Sequence, residues 1–212
     1  SGERPTLFTR VEGKNSSALS GICSRREYLA MGLGVSVKEM LPRLAHAFEN
    51  PTSPQVVSQA PCQEEITDRV DLDTLPIPHF FPKDGGPYIT AGIMIVKDPQ
   101  SGLNASYHRL MQIGKTSFAI RMVESRQAHT TYLKSGCHME VAVCLGNSAA
   151  VLLASSMSPD SGVFELNIAN TLDPTPLVKC RTKDLLVPAD CEVVLEGRVT
   201  GQQLSEGPFV DL

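Results

Sequence analysis

The densest set of chemically capable side chains is the run Asn104-Ala105-Ser106-Tyr107-His108-Arg109, followed by Arg121 and Arg126. On an extended strand successive side chains alternate, so Asn104, Ser106 and His108 share one face while Ala105, Tyr107 and Arg109 share the other. Three arginines within eighteen residues of an acidic chain make a local cationic site suited to holding a phosphate or carboxylate bidentately. An exposed edge strand with solvated charges accounts for the same residues. A second set is acidic: Glu165 follows Asp160-Ser161-Gly162-Val163-Phe164, and Glu206 and Asp211 flank a Gly207-Pro208 turn. In isolation that pair reads as a surface turn. Lining one pocket with Arg109, the two acids separate in pKa, because a like charge raises one while a guanidinium lowers its neighbour by roughly 1 to 3 units. The result is a proton donor beside an orienting ion pair.

Other motifs fail on spacing. Gly114-Lys115-Thr116 resembles the end of a phosphate-binding loop, but Arg109 stands where that loop needs its first glycine. Gly32-Leu33-Gly34 lacks the third glycine of a dinucleotide fingerprint and lies in a helical pattern. Neither G-x-S-x-G nor H-E-x-x-H occurs. The six cysteines are scattered without a C-x-x-C pair, which suits reduced, mostly buried thiols better than a disulfide framework or a zinc site.

Three stretches of chain must position these groups. Residues 5–50 open with a short strand over 7–11 and turn helical, with capping-box patterns at Ser24-Arg25-Arg26-Glu27 and Ser36-Val37-Lys38-Glu39 and a Pro42 that kinks or starts the second helix. Residues 50–62 have linker composition, which sets a boundary between an N-terminal α/β part (1–62) and a second domain (63–212). The second domain shows short apolar segments at 91–96, 106–113, 117–123, 140–145, 176–180 and 192–199, with short helices at 126–136 and near 148–154. The fold class is α+β, with a barrel-like second part.

The chain has 212 residues, 19 Lys+Arg against 23 Asp+Glu and 42% hydrophobic residues, enough for a sizeable core. A net charge of −4 with no basic cluster argues against nucleic-acid binding. No apolar run approaches a membrane span, and the first residues lack a signal-peptide pattern, so a cytoplasmic location is expected.

The sequence resembles the UbiD family of decarboxylases, which use prenylated FMN. The resemblance is carried by Pro76-Ile77-Pro78, Gly86-Pro87-Tyr88-Ile89-Thr90, the 104–109 run, Gln112-Ile113-Gly114, Ala154-Ser155-Ser156-Met157, Leu177-Val178-Lys179-Cys180, Val187-Pro188-Ala189, Val194-Leu195-Glu196-Gly197 and Glu206-Gly207-Pro208-Phe209, in the family's order. It implies a small N-terminal α/β part followed by a split β-barrel of the flavin-reductase (FMN-binding) type. Asn104 and Glu165 match positions that hold a divalent metal, Mn²⁺ or Mg²⁺, against the cofactor phosphate. Ser106, Tyr107, His108 and Arg109, then Arg121, Met122 and Val123, then Arg126 and Gln127 match segments lining the flavin. Ala154, Ser155 and Met157 match a cofactor loop that supplies ligands to K⁺ in some members.

Arg109, Glu206 and Asp211 match the catalytic set. By that resemblance Arg109 orients an aromatic or α,β-unsaturated carboxylate and pairs with Glu206, while Asp211 gives the proton that replaces CO₂. In some members a His is a third metal ligand where this chain reads Glu124-Ser125-Arg126-Gln127; His129 is the nearest imidazole and equally suits a solvent-facing helix position. Family chains also continue into a large C-terminal α/β domain. The resemblance therefore implies a flavin prenyltransferase as cofactor supplier, and either a homo-oligomer or a companion chain carrying the C-terminal domain. A flavin-binding scaffold subunit without turnover, and an ordinary FMN-binding protein, are the alternatives.

Overall fold

The computed structural model describes residues 4–210. In chain order the elements are β1 (Thr6–Phe8), β2 (Ala18–Ser20), α1 (Arg26–Gly32), α2 (Val37–Glu49), β3 (Val56–Val57), β4 (Tyr88–Ile89), β5 (Ile93–Asp98), β6 (Gly102–Tyr107) and β7 (Leu110–Gly114). They continue with β8 (Ser117–Ile120), α3 (Gln127–Lys134), β9 (Met139–Leu145), α4 (Ala149–Ala154), α5 (Glu165–Leu172), β10 (Leu177–Lys179), β11 (Leu186–Pro188) and β12 (Val193–Val199). The architecture is mixed α+β. Its strands form four sheets, ordered β12-β9-β5-β6, β4-β7-β8, β11-β10-β3 and β1-β2, none closed on itself among the described residues.

The four-stranded sheet is the frame. Its centre, Ile93-Met94-Ile95-Val96, is buried on both faces, so the apolar run is continuous rather than alternating. Ile93, Ile95, Ala105, Ala142 and Cys144 pack under α4 and α5, while Met94, Val96, Val141 and Val143 pack with Ile89, Leu110 and Ala128 on the opposite side. The stretch 50–62 contains β3, which runs parallel to β10. Arg43 of α2 donates to the carbonyl of Leu172 in α5 at 2.6 Å.

Several sequence expectations are corrected. The segment 106–113 is two strands, because the chain leaves one sheet at Tyr107 and enters another at Leu110, with His108 and Arg109 in the crossing. The Ser36 capping box forms, with the Ser36 N–H donating to Glu39 Oε2 at 2.9 Å, whereas Ser24 donates its hydroxyl to the Gly21 carbonyl and α1 starts at Arg26. Pro42 lies inside α2, which already starts at Val37. The strand expected over 7–11 stops at Phe8, where its three-residue pairing with β2 ends. Both short helices of the second part are present, one capped by the Ser148 hydroxyl accepting from Val151 N–H.

Helix α3 is tied to the β5–β6 hairpin through Asp98, whose carboxylate accepts from the N–H groups of Gln100 and Ser101, the Thr131 hydroxyl and the Lys134 ammonium at 2.8–3.2 Å. Burial opposes its ionisation, but these donors outweigh that and hold its pKa well below the usual carboxylate range. Among the described residues no helix is long and apolar enough to cross a membrane.

Candidate active site

β6 is an outer strand of the four-stranded sheet, so its outward backbone groups need partners from elsewhere. Glu165, the first residue of α5, supplies one: its Oε2 accepts from the Ala105 N–H at 2.7 Å, while Oε1 accepts from Asn104 Nδ2 at 2.7 Å. Both side chains are 3% exposed. Burial pushes the Glu165 pKa up to about 7, against the opposing pull of these hydrogen bonds.

The Asn104 amide also donates to Gln127 Oε1 at 3.2 Å, so three amide or carboxylate groups from β6, α3 and α5 meet at one point. On the same face of β6, Ser106 Oγ lies 3.1 Å from both Asn104 Oδ1 and His108 Nε2, and His108 Nδ1 lies 3.3 Å from the Arg121 carbonyl. Burial lowers the His108 pKa and favours the neutral ring. A neutral ring that donates from Nδ1 to the carbonyl leaves Nε2 as an acceptor. Ser106 has one hydroxyl proton for two acceptors, so one lone pair is left for a cation or a donor from a ligand. A second orphan is Ser155, whose buried hydroxyl has no hydrogen-bond partner. Ala154 is buried beside it, and Met157 packs on the core under α4 and α5.

The crossing just beyond β6 carries the ion pair. Arg109 Nε and Nη2 donate to Glu206 Oε1 and Oε2 at 2.8 and 2.7 Å, a bidentate fork whose side chains are 20% and 10% exposed. The guanidinium carbon stands 4.7 Å from the Phe209 ring centre and 5.8 Å from that of Tyr88. Glu206 is fixed by a strap, residues 206–210, that docks on the 79–88 segment. There the Gly85 N–H donates to the Pro208 carbonyl at 2.7 Å, the Val210 N–H donates to Asp84 Oδ1 at 3.1 Å, and the Tyr88 hydroxyl lies 3.4 Å from the Pro208 carbonyl. A Cβ at Gly85 would run into the Gly207 carbonyl, so only glycine permits this approach. The Gly207–Pro208 bond is cis. Asp211 lies outside the described residues.

The structure thus brings Asn104, Ser106, His108, Gln127 and Glu165 into one bonded cluster and places Arg109 with Glu206 next along the chain. Tyr107 points to the other face, where its hydroxyl donates to the Leu152 carbonyl at 3.0 Å. Arg121, Val123 and Arg126 are exposed, and Met122 joins the second core cluster. His129 is half-buried and lines a separate open cleft, away from Asn104 and Glu165. Sequence reasoning missed the positioning roles of Asp84, Gly85, Tyr88 and Phe209; the only trace of them was the pair of blocks around Pro87 and Pro208.

Residues 55–212 match the family described as the 3-octaprenyl-4-hydroxybenzoate carboxy-lyase Rift-related domain, UbiD. The chain belongs to the UbiD family. It is 40% identical over 213 residues to the anhydromevalonate phosphate decarboxylase of Methanothermobacter thermautotrophicus, covering 97% of this chain and 49% of that protein. The UbiD-class enzyme HmfF from Pelotomaculum thermopropionicum, solved with FMN, superposes with a TM-score of 0.92 at 41% identity, over 98% of this chain and 49% of that one. The vanillic acid decarboxylase of Sedimentibacter hydroxybenzoicus in its closed form gives 0.90 at 26%, over 97% and 48%. The chain spans about half the length of these relatives.

Proposed function

We propose that this chain is the N-terminal and flavin-binding portion of a non-oxidative, reversible decarboxylase acting on an aromatic or α,β-unsaturated carboxylic acid, with prenylated FMN and a divalent metal. The observation that carries the reading is the bidentate Arg109–Glu206 pair, largely dry and stacked on Phe209, at the end of the strand that bears Asn104. FMN and prenylated FMN in structures of HmfF support the cofactor. The sheets on either side of Met94, Leu110 and Val143 are taken as the two halves of a split barrel, and residues 1–62 as the N-terminal part.

Asn104, Glu165 and Gln127 would hold the metal. Carboxylate and amide oxygens suit Mn²⁺ or Mg²⁺, and a half-turn of the Asn104 amide exchanges its donor for its carbonyl oxygen. Gln127, whose Oε1 accepts from the Asn104 amide, lies in the 124–127 stretch that matches where some members use a His as third ligand. The unsatisfied Ser155 hydroxyl supports the 154–157 loop as a cofactor and K⁺ contact.

When bound, the prenylated flavin supplies the electron sink for loss of CO₂. The chain's own residues do the rest. Arg109 orients the substrate carboxylate, the aromatic wall of Tyr88 and Phe209 keeps water from it, Glu206 fixes the guanidinium plane, and Asp211 delivers the proton to the carbon that CO₂ leaves. The free thiols support a reducing compartment such as the cytoplasm.

A second reading, a subunit that binds flavin but turns over only with a partner, is favoured by the two-part name ShVdcCD of the vanillic acid decarboxylase. Co-expression with a flavin prenyltransferase, followed by a CO₂-release panel of benzoates, heteroaromatic acids and acrylates, tests both. Turnover by the chain alone supports the first reading, and turnover only with a companion polypeptide supports the second. No turnover in either case, with unmodified FMN or no flavin bound, contradicts both.

A further inference from the structure

The strap 206–210 belongs to no helix or strand, so its place depends on what it is bonded to. Two main-chain bonds bracket Phe209. On one side the Pro208 carbonyl accepts from the Gly85 N–H at 2.7 Å, and on the other the Val210 N–H donates to Asp84 Oδ1 at 3.1 Å. The second oxygen of the same carboxylate accepts from the Phe81 N–H at 3.0 Å. Asp84 is 8% exposed, although Lys83 and Gly85 on either side of it are exposed. Burying an acid is costly unless its oxygens are bonded, and here both are spent on joining two distant stretches of chain.

We propose that Asp84 is a positioning residue for Arg109, acting on the guanidinium through the strap. The line of contact is short. Phe209, held from both sides, sets its ring centre 4.7 Å from the Arg109 guanidinium carbon and 4.5 Å from the Tyr88 ring, and Phe80 meets it edge-on at 6.2 Å. Glu206, earlier in the strap, grips the edge of the guanidinium, while Phe209 supports its face. The bond at Pro208 alone is a pivot; the bond from Val210 to Asp84 stops the strap turning about it. A carboxylate thus does for the strap what the carbonyl of a paired strand would do, and freeing Val210 loosens the face of the guanidinium while the fork still holds its edge. The consequence for turnover rests on the decarboxylase reading; the consequence for the strap does not.

The test compares wild type, Asp84→Ala, Asp84→Asn and Lys83→Ala by NMR, reading hydrogen exchange at backbone amides and at the Arg109 Nε–H, and then measures CO₂ release by the flavin-loaded enzyme. In Asp84→Ala the Val210 amide and the Arg109 Nε–H should exchange at least ~10-fold faster, the size expected for losing a hydrogen bond to a charged group, while the Ala105 amide held by Glu165 keeps its wild-type rate. Asparagine offers one carbonyl oxygen in place of two, so Asp84→Asn should restore part of the protection, and Lys83→Ala at the exposed neighbour should change nothing. In turnover Asp84→Ala should lower kcat ~10–100-fold with flavin and metal content unchanged, as for a reacting group displaced by about 1 Å. Wild-type exchange at Val210 and Arg109 in Asp84→Ala would overturn the proposal, as would full turnover by that variant. Faster exchange at Ala105 equal to that at Val210 would also overturn it, since Asp84 would then support the fold at large. A wild type that releases no CO₂ would count against the decarboxylase reading, and the exchange comparison would still decide the role of Asp84.

Discussion

The two outer strands of the central sheet are finished in opposite ways. At β6 the chain closes its own edge: a buried carboxylate takes the Ala105 N–H, the Asn104 amide bridges it to Gln127, and Arg109 is locked to Glu206 just beyond. At β12 the edge faces an apolar cleft and has no strand beyond it among the described residues. Polar groups concentrate where a sheet edge is plugged by side chains, because the plug must supply the donors and acceptors that a further strand would have supplied. The catalytic chemistry proposed here is thus housed in an edge that folding already obliges to be polar, whereas the apolar edge has only pairing to offer.

The largest effect should come from the closed edge. Arg109→Ala removes the group proposed to hold the substrate carboxylate and strands Glu206, so CO₂ release should fall by at least ~10³-fold, within the range for groups that act in the transition state. Leu195→Lys, at the open edge and away from the Arg109–Glu206 pair, should leave turnover within about threefold; equal losses from both substitutions would erase the distinction.

The next effect is on stability. Glu165→Ala leaves the Ala105 N–H and the Asn104 amide without their acceptor and should cost about 2 kcal/mol in chemical denaturation. Leu195→Lys, at a half-buried position packed on the second core cluster, should cost less, about 1 kcal/mol.

A smaller effect is set by pH. Asp98 anchors α3 beside the closed edge, and its carboxyl lies below the ordinary aspartate value when folded. Its contribution is therefore present above an unfolded value of about 3.9 and is lost as pH falls below it. Melting temperatures of wild type and Asp98→Asn should differ most near pH 7 and converge as pH drops below about 4. Parallel curves would show that Asp98 contributes no titrating stability. Smallest of all, Ser155→Ala should leave the melting temperature of the flavin-free chain unchanged or slightly raised, since it removes an unsatisfied hydroxyl, while weakening flavin retention.

The closed edge was partly legible in the sequence. Strand alternation alone put Asn104, Ser106 and His108 on one face, and they form one hydrogen-bonded series. Other parts were not legible from local pattern. Arg109 meets Glu206 across 97 positions, and periodicity carries no information about such a pairing; the resemblance implies it, and the structure supplies its geometry. Helix α5 escaped notice because its two asparagines and a threonine dilute the apolar spacing of Leu166, Ile168, Ala169 and Leu172, which becomes meaningful only against α4 and the sheet. The open edge was invisible for a simpler reason: Val-Val-Leu-Glu-Gly-Arg-Val reads the same whether one or both of its sides are paired.

The most direct measurement is of what the closed edge retains. After co-expression with a flavin prenyltransferase, the mass and absorption spectrum of bound flavin and the metal content should be determined together for wild type and Asn104→Ala. Prenylated FMN with a divalent metal on the wild type, and joint loss of both from the variant, is the result predicted. A variant that keeps both would contradict the assignment of this edge as the cofactor site.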